Sequence, residues 1–61
     1  MPVVTIDGGP LEVEKKRQLC CDITEALSNA YGLPKSAYVV LIRENTAENV
    51  GVAGELLCDR E

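Results

Sequence analysis

Two short apolar runs, Val3-Val4-Thr5-Ile6 near the start and Tyr38-Val39-Val40-Leu41-Ile42 near the middle, flank a single long stretch with helical periodicity. That spacing most constrains the fold. The runs are rich in β-formers. Between them Val13, Lys16, Leu19, Cys20, Ile23, Ala26, Leu27, Ala30 and Tyr31 recur at three- and four-residue steps, while Glu14, Lys15, Arg17, Gln18, Asp22, Glu25, Ser28 and Asn29 occupy the other side. Strand, helix and strand make a βαβ unit, whose crossover is right-handed and whose strands are parallel. The predicted fold class is therefore α/β, with one domain over residues 1–61.

The boundaries are set by local chemistry. Gly8-Gly9-Pro10 breaks the first strand. Glu12 and Glu14 suit the positive end of the helix dipole, although no strong N-cap residue precedes them. Gly32 fits the left-handed position that closes a helix, and Pro34 prevents continuation. The second strand is predicted over Ala37 to Glu44, its unbroken apolar run implying cover on both faces. In the tail, glycines among short β-formers from Asn49 to Leu57 predict a small hairpin, and Cys58 to Glu61 a partly ordered end.

A two-stranded sheet with one helix cannot cover both of its faces, and 61 residues are few for a self-sufficient core. Cys20, Cys21 and Cys58 are odd in number, and with no histidine they signal neither a disulfide framework nor a zinc site. They are predicted to be reduced and mostly buried. The missing cover is then expected from further copies of the chain. No leader pattern and no membrane-length apolar run is read in the sequence, which predicts a cytoplasmic protein that does not engage a membrane. A net charge of -4 with no basic stripe argues against nucleic acid as a partner.

Pro2 directly follows Met1. Once the start methionine is trimmed, the proline nitrogen is a secondary amine in a rigid ring, able to take a proton or attack a carbonyl. With Met1 attached it is an amide and inert. Strand formers behind it would fix the amine in a partly apolar place, where desolvation favours the neutral form that a general base needs. An opening Met-Pro also arises by chance in chains with no such chemistry.

Several strings in this order resemble the 4-oxalocrotonate tautomerase family: Pro2, Glu14-Lys15-Lys16 with Leu19, Ile23-Thr24-Glu25-Ala26, Pro34, Val40-Leu41-Ile42-Arg43-Glu44, and Asn49-Val50-Gly51-Val52-Ala53-Gly54-Glu55-Leu56. The resemblance spans almost the whole chain. It implies a tautomerase-like βαβ protomer with a C-terminal hairpin, assembled as a trimer of dimers into a hexamer with active sites between protomers. It implies an isomerase in which Pro2 is the general base for keto-enol proton transfer on 2-oxo or 2-hydroxydienoate acids, with no cofactor and no metal. It also admits two alternatives, a non-catalytic scaffold or small-ligand-binding member and a relative that hydrates unsaturated acids.

Departures stand beside the likeness. Where the best-known members carry two arginines that hold substrate carboxylates, this chain has Leu11 and Val39; Val50 takes the place of a pocket phenylalanine, and Ala53 that of a glycine. The cation for a carboxylate must come from Lys15, Lys16, Arg17, Lys35, Arg43 or Arg60. Lys16 lies on the apolar stripe, so it either snorkels or points into a pocket. Arg43 can grip a carboxylate in bidentate fashion or pair with Glu44 or Glu48. Tyr38 can donate a hydrogen bond to an enolate or simply pack. At about 3.3 Å per strand residue, Lys16 and Arg43 lie too far from Pro2 to reach it within one chain. Lys35, Tyr38 and the N–H of Val39 or Val40 are the candidates that can.

Overall fold

The computed structural model describes residues 1–60. Strand β1 spans Val3–Gly8, helix α1 Val13–Tyr31 and strand β2 Val39–Glu44, with a 3-10 turn at Lys35–Ala37 before β2. β1 and β2 are parallel, from Val3 against Val39 to Gly8 against Glu44. Further 3-10 turns at Ala47–Asn49 and Leu57–Asp59 bracket an antiparallel pair, β3 (Gly51–Val52) and β4 (Glu55–Leu56). The α/β class, the parallel βαβ unit and the C-terminal hairpin are those the pattern predicts.

The helix ends where its chemistry says it should. Gly32 has φ 70°, and its N–H donates to Ser28 O at 2.9 Å, closing the last turn in the left-handed conformation that glycine tolerates. At the other end Glu12 occupies the N-cap position with no side-chain cap. The hairpin turn places Ala53 at φ 55° and Gly54 at φ 80°, the two positive angles of a type I′ connection. An alanine at such an angle is strained by its Cβ.

Three expectations need correction. The second strand starts at Val39 and not at Ala37, because the chain after Pro34 first forms a turn: the Ala37 N–H donates to Pro34 O at 2.9 Å and the Tyr38 N–H to Lys35 O at 3.3 Å. The half-buried side of α1 runs through Lys16, Leu19, Cys20, Ile23, Thr24, Leu27 and Ser28, leaving Val13, Ala26, Ala30 and Tyr31 exposed. The apolar stripe is thus wider than one two-stranded sheet can cover. Cys20 is half-buried, whereas Cys21 and Cys58 are exposed, because these positions lie off the side that the sheet reaches. After Leu56 the chain turns in 3-10 fashion at Leu57–Asp59, inside the end predicted to be partly ordered, while Glu61 lies outside the described residues.

The protomer has almost no interior. Tyr38, at 9% exposure, is the one buried residue among those described, although 46% of the chain is hydrophobic. β1 and β2 alternate: Val4, Ile6, Val40 and Ile42 are half-buried, while Val3, Thr5 and Asp7 face outward with Val39, Leu41 and Arg43. Within the protomer only one side of β2 is covered, and the other is the face for which cover was expected from further copies. The radius of gyration, 14.9 Å, exceeds the about 10.5 Å of a compact chain this long. The accessible surface, 4705 Å², likewise exceeds the about 3,900 Å² of a self-contained monomer of this mass. No helix among the described residues is long and apolar enough to cross a membrane.

Candidate active site

Pro2 sits at the mouth of the β1–β2 ladder. Its carbonyl accepts the Val39 N–H at 3.1 Å, which extends the ladder by one residue and holds the proline half-buried, while Met1 is 85% exposed. Next along the ladder Val3 lies opposite Val39, and Tyr38, just before it, is buried. The Val39 N–H is spent on the ladder and cannot also serve a ligand.

Tyr38 has its hydroxyl fully employed. The oxygen accepts the Leu33 N–H at 3.0 Å and donates its hydrogen to Leu33 O at 3.1 Å, so it ties the helix exit to the start of β2. Tyr31 lies nearby, with ring centroids 6.3 Å apart. Lys35, in the turn that leads into β2, reaches Glu25 at 3.4 Å and is 70% exposed.

The opposite end of the ladder carries charge. Arg43 and Asp7 face one another in register, with Nη1 and Oδ1 4.0 Å apart and both side chains well exposed. The partner of Arg43 is thus Asp7, not Glu44 or Glu48, because the parallel register sets them side by side. A pair this long and this wet is weakly held. Asp7 lies five residue steps along the strand from Pro2, about 16 Å.

Glu44 is a residue whose part sequence reasoning missed. Its Oε1 lies 2.9 Å from Lys16 Nζ, and its Oε2 accepts the Leu11 N–H at 2.9 Å. Lys16, then the Leu11 N–H, hold the Glu44 carboxyl below the usual carboxylate range. The available signal was Lys16 itself, since an ammonium on a half-buried stripe needs a carboxylate within reach.

No enclosed cavity forms among the described residues, and no cluster of potential metal ligands is present among them. Pro2 and Arg43 thus lie at opposite ends of one sheet, too far apart along it to meet within one chain.

A family model described as tautomerase enzyme matches residues 2–60. Among solved structures, DmpI from Archaeoglobus fulgidus is 43% identical, covering 95% of this chain and 100% of its own, with a TM-score of 0.85. YwhB, a homologue of 4-oxalocrotonate tautomerase, is 34% identical over 98% of this chain and 100% of its own, with a TM-score of 0.89. Another 4-oxalocrotonate tautomerase homologue, 29% identical, covers 100% of this chain and 98% of its own at a TM-score of 0.90. No curated protein matches.

Proposed function

Because the chain belongs to the tautomerase family, we propose that it is a cofactor-independent isomerase in which the Pro2 amine, freed by removal of Met1, moves a proton between the oxygen and carbon of a 2-oxo acid. The observation that carries this reading is the setting of Pro2: it is the residue at which the family match begins, pinned through the Val39 N–H at the uncharged end of the sheet. Exposure of Met1 suits its trimming.

In the proposed reaction the neutral amine takes the hydroxyl proton of an enol, leaving an enolate, and the protonated amine returns a proton to carbon. Nothing is gained or lost overall. Desolvation keeps the amine basic near neutral pH without leaving it permanently charged. The anion that develops on oxygen, and the substrate's carboxylate, require a cation held in place. Arg43 of a neighbouring copy fits that role, since its hold on Asp7 is loose and its fork matches a carboxylate. Lys16, the other candidate, is occupied by Glu44, and Tyr38 by Leu33.

The assembly follows from the same reasoning. A protomer with one buried residue among those described and exposed Val3, Val39 and Leu41 on its open sheet face needs copies of itself, and a hexamer built as a trimer of dimers is the proposed form. The substrate class is a small 2-oxo acid. In the test, Pro-first protein is assayed for ketonisation of 2-hydroxydienoates and phenylenolpyruvate, beside Pro2→Ala and an N-acetylated form. The reading expects a loss of about 10²–10⁴-fold in both altered proteins, the usual worth of a general base. Full activity in either would sink it. An inactive Pro-first protein of normal assembly mass would instead favour a binding or scaffold role, and solvent oxygen in the product would favour hydration.

A further inference from the structure

Glu44 closes β2 with each of its carboxylate oxygens engaged on a different part of the chain. Between β1 and α1 run Gly9, Pro10, Leu11 and Glu12, a connection in which Pro10 has no N–H to offer. The Asn45 N–H donates to Gly8 O at 2.8 Å, fixing where the connection starts, and the Lys16 N–H donates to Glu12 O at 3.0 Å, fixing where it joins the helix. In between, the Leu11 N–H is received by Glu44 Oε2, while Lys16 on the first turns of α1 neutralises the same carboxylate from its other oxygen. Leu11 keeps its side chain 41% exposed.

We propose that Glu44 is a positioning residue, whose carboxylate clasps the Gly9–Glu12 connection to the end of β2 and so presents the exposed Leu11 side chain as an apolar wall of the site that a neighbouring copy's Pro2 enters. The part played by the wall rests on the shared-site reading above. The clasp does not.

Charge is what makes this arrangement firm. A carboxylate accepts from a backbone N–H and an ammonium at once, and bonds to an ionised acceptor are stronger than neutral ones. An amide at the same place would keep one acceptor oxygen and turn two N–H donors toward Lys16, which has only donors of its own. The clasp also decides the duty of Lys16: its ammonium is committed within the chain, which leaves the grip on substrate to Arg43.

Acid should open the clasp. The folded-state pKa of Glu44 is lowered, by Lys16 first and the Leu11 N–H second, so its stabilising contribution is fully present above the unfolded value and is lost as pH falls through the folded one. The neighbouring carboxylates have other partners, Asp7 lying against Arg43 and Glu14 against Arg17. Lys16 is the charged group that faces Glu44 from α1.

Amide hydrogen exchange on the assembled, Pro-first protein tests the clasp directly. In Glu44→Gln the Leu11 amide should exchange on the order of tenfold faster, and in Glu44→Ala faster still, as expected for loss of a charge-assisted bond. The Gly32 amide, held by Ser28 at the far end of the helix, serves as the internal reference. Lowering the pH of the unaltered protein should speed Leu11 exchange beyond the intrinsic change, and Glu44→Gln should lack that step. In turnover, Glu44→Gln should raise KM severalfold with kcat within about twofold, since a wall binds and does no chemistry. Leu11 exchange unchanged in Glu44→Gln overturns the clasp; faster exchange with KM unmoved overturns the wall. A wild-type protein that turns over no 2-oxo acid defeats the isomerase reading and the wall with it, while the exchange rates still decide the clasp.

Discussion

The two ends of the β1–β2 ladder share strands and register, yet they are chemically opposite. At the Pro2 end the hydrogen bonds join neutral groups, Val39 N–H to Pro2 O and the Tyr38 hydroxyl to the Leu33 backbone, with only the exposed Lys35–Glu25 pair on the turn before β2. At the other end the ladder finishes in ionised side chains, Asp7 with Arg43 and Glu44 with Lys16. An uncharged setting favours a neutral amine, whereas binding an acid calls for a cation, and a small chain separates the two by placing them about 16 Å apart along its strands. On the proposed reading the chemistry belongs to the assembly, with one copy supplying the base and another the grip.

The largest effect that would break this contrast comes from Arg43. Replacing it with alanine should lower kcat/KM by about 10²-fold, the scale of losing a charge-assisted contact to the developing anion. More telling is a mixture. Pro2→Ala and Arg43→Ala chains, each nearly inactive alone, should recover about a quarter of wild-type activity when unfolded and reassembled together in equal amounts, because a site shared between two randomly chosen copies has both intact residues about a quarter of the time. Absence of any recovery would put both residues in one chain, or Arg43 outside the site.

How much of this could be read from the sequence depends on the range of the interaction. The βαβ order was legible because it follows from side-chain periodicity, and the helix exit at Gly32 because a left-handed residue is demanded there. The hairpin was legible from Gly51 and Gly54, although Ala53 carries one of its two positive angles. The start of β2 was not, since Ala37 directly borders the β-forming run from Tyr38 and only the backbone bond to Pro34 draws it into a turn. In the candidate site Pro2 was visible by its place in the chain alone, an inference from chemistry that needs no fold. Arg43 was visible as a cation at a strand end, but its partner Asp7 depends on a register between strands far apart in sequence. Glu44 escaped because its role depends on a contact to Leu11 across 33 positions, and composition carries no trace of such a bond.

Tyr38 offers the smaller and finer test, because it lies at the neutral end and carries the one hydroxyl there with a known geometry. If the two ends divide their labour as described, this hydroxyl serves the fold. Removing it in Tyr38→Phe deprives the Leu33 N–H and carbonyl of their partner, but Leu33 is 42% exposed and water can replace much of what is lost. The cost should be about 1 kcal/mol of stability, with the ring still filling its place and kcat/KM within about twofold of wild type. Thermal unfolding at fixed protein concentration and the ketonisation assay measure the two quantities separately. A tenfold fall in kcat with unchanged stability would mean that the hydroxyl leaves Leu33 to donate to the enolate, and the neutral end would then hold a catalytic donor of its own beside the amine.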